Sequence, residues 1–252
     1  MKYELRKEKE VVSSLVDINL ELGLIGAQSI VQDNMCDYFK LIGADGPTMV
    51  PKCNCFFVVS KSKIKFNKMC KWQDDLIAES LIVGKSRIKL NLLTSLKDDD
   101  GKIVAECMQE MVAIDATTRS IKMLSDTLVP EDLEVSGESD MAFNRLVIDY
   151  EDVDACKVVA VDSGNVDFYK HTNNIEYIKM MLSSLSVEYL ASHQIVEFEI
   201  NYVTESRAGD VLTIYRKELD DGKIAFQLKR GNDVVTRALI SVCVRENKVD
   251  LF

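Results

Sequence analysis

Hydrophobic and polar positions along the chain run through the same sequence of periods twice. From Leu24 to Ile42, LIGAQSIVQDNMCDYFKLI, apolar residues recur at helical spacing, and Gly43 follows where a left-handed residue can close a helix. Before this segment, VVSSLVDI predicts a short strand. After it, FFVVSKSKIKF, DLIAESLIV, SRIKLNLLTSL and KIVAECMQEMVAID predict four strands, the last two joined by the polar turn KDDDG. In the second half CKVVAV predicts a strand, and a helix follows to about Leu190. Ile175, Ile178, Leu182, Leu185 and Leu190 share one apolar face of that helix. IVEFEINYV, DVLTIYRKE, GKIAFQLKR and DVVTRALISVCVR then predict four more strands, with the turn LDDG matching DDDG in the first half.

Other positions match in the same order. QDDLI near Asp75 corresponds to AGDVL near Asp210, and DINLE from Asp17 to DFYKH from Asp167. The polar segment VPEDLEVSGESD, Val129 to Asp140, falls between the halves and reads as a linker. A helix followed by an antiparallel meander can wrap the sheet around the helix, but it leaves a sheet edge that needs cover. Two copies joined edge to edge form one continuous sheet. The expected fold is therefore α+β, a tandem (double) hotdog with two long helices packed on one extended antiparallel β-sheet. Its halves are residues 1–135 and 141–252.

Composition narrows the function classes. The 252 residues are 47% hydrophobic and 29% charged, with three prolines, so a sizeable core is expected and a long disordered linker is not. The formal net charge of −10 makes nucleic acid a poor partner. No run approaches the roughly 18 apolar residues of a membrane span. The charged N-terminus MKYELRKEKEVVSSL lacks the apolar segment of a signal peptide. Seven irregularly spaced cysteines read as reduced thiols of a cytoplasmic protein. Cys53 and Cys55 read as small residues at the start of a strand, and no metal site is expected.

Candidate chemistry is concentrated in NVDFYKHTNNIEYIKM, Asn165 to Met180, which holds one of the two histidines. Taken alone this is an ordinary capped helix start, with Thr172 or Asn173 as the cap. Its position at a strand-to-helix junction adds a carboxylate (Asp167), an imidazole (His171) and helix N–H groups suited to a developing oxyanion. The matching place in the first half carries Asp17 and Glu21 without a histidine, so one active site is expected, mainly from the second half.

At these residues the chain resembles the acyl-acyl carrier protein thioesterases of plants and bacteria. That family carries a pattern close to D-x-D-x-N-x-H-x-N-N-x-x-Y-I, and a Y-R-R-E-C motif about thirty residues further on. This chain reads NVDFYKHTNNIEYI from Asn165 and YVTES from Tyr202. The resemblance implies that Asp167, His171 and Glu205 are catalytic, with Tyr169, Asn173 and Asn174 positioning the substrate. Two departures stand out: Tyr169 replaces the family's asparagine, and Ser206 replaces its cysteine, which favours a carboxylate and histidine mechanism. If the approach to the helix is extended, Asp167, Tyr169 and His171 point the same way, which places the phenol between the catalytic groups.

The resemblance further implies hydrolysis of acyl-acyl carrier protein thioesters to free fatty acid, without a cofactor. The acyl slot is expected in the first half, lined by Ile30, Met35, Tyr38 and Phe39. Lys61, Lys63 and Lys65, on one face of a predicted strand, are a candidate docking patch for acyl carrier protein. A homodimer is compatible with this reading. The alternatives are an acyl-CoA thioesterase, an enoyl-thioester hydratase with an Asp/His pair, and a non-catalytic acyl-thioester-binding protein.

Overall fold

The computed structural model describes residues 1–245. The first half comprises β1 (Glu4–Glu10), α1 (Leu24–Leu41), α2 (Gly46–Cys53), β2 (Cys55–Phe66), β3 (Asp75–Lys85), β4 (Lys89–Lys97) and β5 (Ile103–Asp115). The second comprises β6 (Ala155–Ala160), α3 (Asn174–Leu182), α4 (Val187–Ser192), β7 (His193–Tyr202), β8 (Val211–Leu219), β9 (Lys223–Arg230) and β10 (Asp233–Val244).

All ten strands form one antiparallel sheet in the order β1-β3-β4-β5-β2-β7-β10-β9-β8-β6. Read outward from the β2–β7 junction, each half has the same internal order, so the halves are related by an approximate twofold axis. The junction pairs Lys61 with Asn201 through Lys65 with Glu197. α1 and α3 pack together inside the curve of the sheet. Leu24, Ala27, Ile30 and Val31 share one core with Tyr177, Ile178, Phe198 and Phe226. A second core beneath the end of α1 gathers Tyr38, Phe39, Met49, Leu90 and Met111. Gly43, at φ 72°, closes α1 as its sequence position predicts.

Four local expectations are corrected. The first strand is Glu4–Glu10 rather than VVSSLVDI. This edge strand buries little and is built of charged residues, which protect a free sheet edge and hide it from a search for apolar alternation. The second helix ends at Leu182 instead of reaching Leu190. The hydroxyls of Ser183 and Ser184 bond back to the carbonyls of Met180 and Met181 at 2.7 Å, and Ser186 caps the separate short α4. Asp74, not Asp75, matches Asp210. Asp74 accepts the Lys71 N–H at 2.8 Å and Asp210 accepts that of Arg207 at 2.9 Å. The connection between halves also exceeds the predicted Val129–Asp140 linker, because no strand forms between β5 and β6.

α2 was not apparent in the sequence as a helix. Asp45 caps it through the Thr48 N–H at 3.0 Å, and Pro47 sits in its first turn. No described helix is long and apolar enough to cross a membrane.

Candidate active site

The segment 166–172 is a tight loop. A bridge between Val166 and Thr172 closes it, and Lys170 takes a left-handed conformation at φ 64°. One carboxylate oxygen of Asp167 accepts the backbone N–H of Tyr169 at 2.8 Å and of His171 at 3.4 Å. Asp167 therefore shapes the turn that carries the imidazole. Thr172 leads into α3, and Asn173 caps it by accepting the Ile175 N–H at 2.9 Å. Asn174 opens the helix, and its own amide finds no acceptor among the described residues.

Ser206 joins this loop to the loop bearing Glu205. It is fully buried, and its hydroxyl lies 2.7 Å from that of Thr172 and 2.8 Å from that of Tyr177. Its carbonyl also accepts the Thr172 N–H at 2.9 Å. A hydroxyl spent in this way is a structural strut. Beside it, Glu205 Oε2 lies 3.3 Å from His171 Nε2.

Arg119, which sequence reasoning missed, reaches across from the first half. Its guanidinium pairs with the other oxygen of Glu205 and lies 5.1 Å from the centre of the Phe56 ring. It sits at φ 62° in a turn after β5 organised by Asp115, which accepts the N–H groups of Thr117 and Thr118 at 2.9 and 2.8 Å. Those bonds hold the Asp115 carboxyl well below the usual carboxylate range. The signal available in the sequence was the D-x-T-T-R run immediately after a strand, a pattern suited to an Asx-type turn.

Burial lowers the His171 pKa. The nearby Glu205 charge opposes that shift, while Arg119 and Arg207 add to it. The imidazole is therefore neutral at neutral pH, with Nε2 3.3 Å from the Glu205 carboxylate.

The cleft beneath these groups has a volume of about 860 Å³ and is mainly apolar. It runs from Asp167, His171, Asn173, Asn174 and Glu205 into the first half. Met35 and Phe39 line it. Ile30 and Tyr38 do not: Ile30 packs in the core between the helices, and the Tyr38 hydroxyl donates to the Tyr3 carbonyl at 3.3 Å. These two are corrections to the expected slot, because the cleft opens beside the last turns of α1 rather than under its buried face.

Tyr169 is also placed differently from expectation. The curled loop stacks its ring on Phe56, 4.4 Å between centroids, and its hydroxyl bonds to neither His171 nor Glu205. Its hydroxyl packs on Gly46, where an added Cβ would come within 1.6 Å of it. Burial pushes the phenol up to about 12.

The lysine patch is corrected too. β2 is a central strand, so its lysines face neighbouring acids. Lys63 is buried and bridges Glu197 and Glu199 at 3.1 Å each, and it also donates to the Ala142 carbonyl of the connecting segment. Lys61 faces Glu110 and the Phe143 ring, and Lys65 pairs with Glu197 at 3.5 Å. Among the described residues no group of three or more His, Cys, Asp or Glu side chains is placed to hold a metal.

Two meanders on one continuous sheet, with a helix in each and a cleft between them that brings His171 against Glu205, define a double-hotdog protein. The acyl-ACP thioesterase N-terminal domain matches residues 2–131 and the C-terminal domain matches residues 148–241, and the chain belongs to that family. It is 22% identical over 223 residues to oleoyl-acyl carrier protein thioesterase 2, chloroplastic, of Arabidopsis thaliana, covering 82% of this chain and 61% of that one. It is 24% identical over 181 residues to palmitoyl-acyl carrier protein thioesterase, chloroplastic, of Gossypium hirsutum, covering 66% and 42%. The chain thus spans about three fifths or less of the length of these curated relatives. Its fold matches an acyl-ACP thioesterase from Bacteroides thetaiotaomicron with a TM-score of 0.78, at 19% identity, covering 95% of this chain and 98% of that one. It also matches the 12:0-ACP thioesterase from Umbellularia californica with a TM-score of 0.79, at 17% identity, covering 96% and 98%.

Proposed function

We propose that the protein hydrolyses acyl-acyl carrier protein thioesters to free fatty acid. The observation that carries this is the His171–Glu205 contact of 3.3 Å at the head of the 860 Å³ apolar cleft. The acyl chain enters the first half past Met35 and Phe39, and the thioester carbonyl stops at the His171–Glu205 pair. Glu205, paired with Arg119, takes a proton from water as the water oxygen attacks the carbonyl carbon. The Asn174 N–H meets the oxygen as it gains charge. Collapse of the intermediate breaks the C–S bond, and the thiolate leaves without needing an acid.

Direct attack by Asp167 is less well supported, because the same two bonds to the loop recur at Asp17 in the half whose loop carries no histidine. His171 orients Glu205 and the water. Tyr169 closes the mouth by packing, and Asn173 serves as the helix cap. The lysines of β2 are taken up by neighbouring acids and are not available for docking. The cations at the cleft, Lys40 and Arg119, are accompanied by Asp37, Asp45, Asp167 and Glu205, so a carrier protein would meet individual cations such as Lys40 and Arg207 rather than a positive rim.

A matched panel of acyl-carrier-protein and acyl-CoA thioesters tests the reading. Release of free fatty acid, faster from the carrier protein, is expected. Hydration of crotonyl-CoA without hydrolysis of saturated thioesters would identify a hydratase instead, and binding without turnover would identify a non-catalytic acyl-thioester protein.

A further inference from the structure

The twofold relation between the halves generates a second site at the matching place. Loop 16–22 has the same build as loop 166–172: a Val16–Leu22 bridge closes it, and Leu20 is left-handed at φ 55°. The Leu22 N–H bonds to the Cys70 carbonyl at 2.7 Å, as Thr172 does to Ser206. Glu21 therefore stands where His171 stands, and Met69 where Glu205 stands. Each cleft combines the loop of one half with the helix region of the other. The first is lined by Met35, Phe39 and Lys40 of α1, the second by Leu182, Leu185 and Leu190 around the break between α3 and α4.

The second cavity is real space, about 520 Å³, within the range of small-molecule sites. Its walls are mostly aliphatic, with Leu24, Met69 and Ile195 completing the interior. The His171–Glu205 pair has no counterpart here, since Glu21 and Met69 take those places, and the imidazole in the wall, His193, is turned back onto Ser192 and the Tyr189 carbonyl at 3.0 and 3.1 Å. Arg245, just past β10, pairs with Asp17 at 3.7 Å and with Glu21, much as Arg119 reaches across to Glu205. That single guanidinium offsets one of the two negative charges of the loop. Lys179 also lines the cavity, its side chain half exposed and its ammonium paired with Glu176, whose other oxygen accepts from Asn165 at 2.8 Å. With the lysine end open to solvent the pair is screened there, so the ammonium can turn toward an anion in the cavity while Asn165 continues to hold Glu176.

We propose that this second cavity binds a fatty acid without acting on it, its hydrocarbon chain among Leu182, Leu185 and Leu190 and its carboxylate on Lys179. The choice of occupant rests on the hydrolase reading, since the same half-to-half construction that holds the acyl chain in the first cleft recurs here. The ligand is then the product of the neighbouring site, and the cavity is a product-sensing site.

Equilibrium dialysis of the full chain with radiolabelled dodecanoate tests this. Two molecules per chain are expected in the wild type. One is expected in Leu185→Trp, which fills the cavity, and in Leu185→Asp, which makes it polar. Melting temperature and initial thioester hydrolysis should be unchanged in the Trp variant. Lys179→Glu should weaken the second dodecanoate by about tenfold, near 1.4 kcal/mol, and leave 1-dodecanol binding unaltered. One dodecanoate per chain in the wild type, or two persisting in both Leu185 variants, overturns the proposal. Equal weakening of dodecanol by Lys179→Glu overturns the placement of the carboxylate. The hydrolysis panel is read separately, so a protein that hydrolyses thioesters yet binds one dodecanoate loses only the second site.

Discussion

Asp17 and Asp167 make the same two hydrogen bonds. Asp17 accepts the N–H of Asn19 at 2.8 Å and of Glu21 at 3.4 Å, and Asp167 accepts those of Tyr169 and His171 at the same distances. A bond preserved in the half that lacks a histidine serves the shape of the loop before it serves chemistry. Asparagine keeps the accepting oxygen. Asp167→Asn should therefore retain kcat within about tenfold, whereas Asp167→Ala should lose roughly 1 kcal/mol of stability and considerably more activity. Steady-state kinetics with denaturant titration checks both. A loss of about a thousandfold or more in a normally folded Asp167→Asn would restore the nucleophile role.

The proposed mechanism makes Glu205 the general base, and its test is the amide. Glu205→Gln keeps the shape and the contact to His171 but removes proton acceptance. A fall of about a hundredfold or more in kcat is expected, with KM little changed. Near-normal turnover by this variant would move catalysis elsewhere in the cleft.

On the proposed mechanism Arg119 should set the acid limb of the pH profile, because its charge lowers the His171 pKa. The His171 pKa lies below the ordinary value of 6.5, so the active neutral imidazole persists as pH falls through 6.5 and is lost only at the lower folded value. Removing the cation raises that value twice over, since Arg119 repels the imidazolium directly and also occupies Glu205. Arg119→Gln should shift the acid limb of kcat/KM upward, toward the ordinary histidine range. A limb that stays in place while kcat falls would make Arg119 a structural residue of its turn.

Tyr169 and Gly46 form a packed pair. The phenol touches no catalytic group, so Tyr169→Phe should leave kcat unchanged. Gly46→Ala should instead force the ring from its seat on Phe56, because the new methyl meets the hydroxyl at 1.6 Å. A higher KM with little change in kcat is expected. A tenfold drop in kcat for Tyr169→Phe would return the hydroxyl to the chemistry.

The repeated helix-and-meander order was legible because apolar periodicity records burial, and both halves bury the same faces. His171 and Glu205 were legible through motif resemblance. Three features left little trace. β1 is an edge strand whose charges protect it, so it shows no apolar alternation. The stop of α3 depends on serine hydroxyls competing for carbonyls, which apolar spacing does not register. Arg119 belongs to the other half of the chain, and only the closure of the sheet at the β2–β7 junction brings it to Glu205. Lys63 was misread for a related reason: a row of lysines on a strand looks solvated until the neighbouring strand is known to carry Glu197 and Glu199.

That last pairing gives a stability prediction. Glu199 is 1% exposed, and it accepts from the Asn144 backbone and side chain at 2.6 and 2.7 Å as well as from Lys63. Removing the lysine leaves a buried carboxylate with neutral donors alone. Breaking a buried pair from one side costs about 3–5 kcal/mol, whereas replacing both partners with apolar residues of similar size is often neutral. Lys63→Met should therefore lower the unfolding free energy by that order, and Lys63→Met with Glu199→Met should recover much of it. Denaturant unfolding of the four-member cycle measures the coupling. The exposed Lys65→Glu should cost far less. If Lys63→Met instead leaves stability intact and selectively raises KM for the acyl-carrier-protein substrate, the lysine face of β2 is a docking surface after all and the connecting segment over it must open.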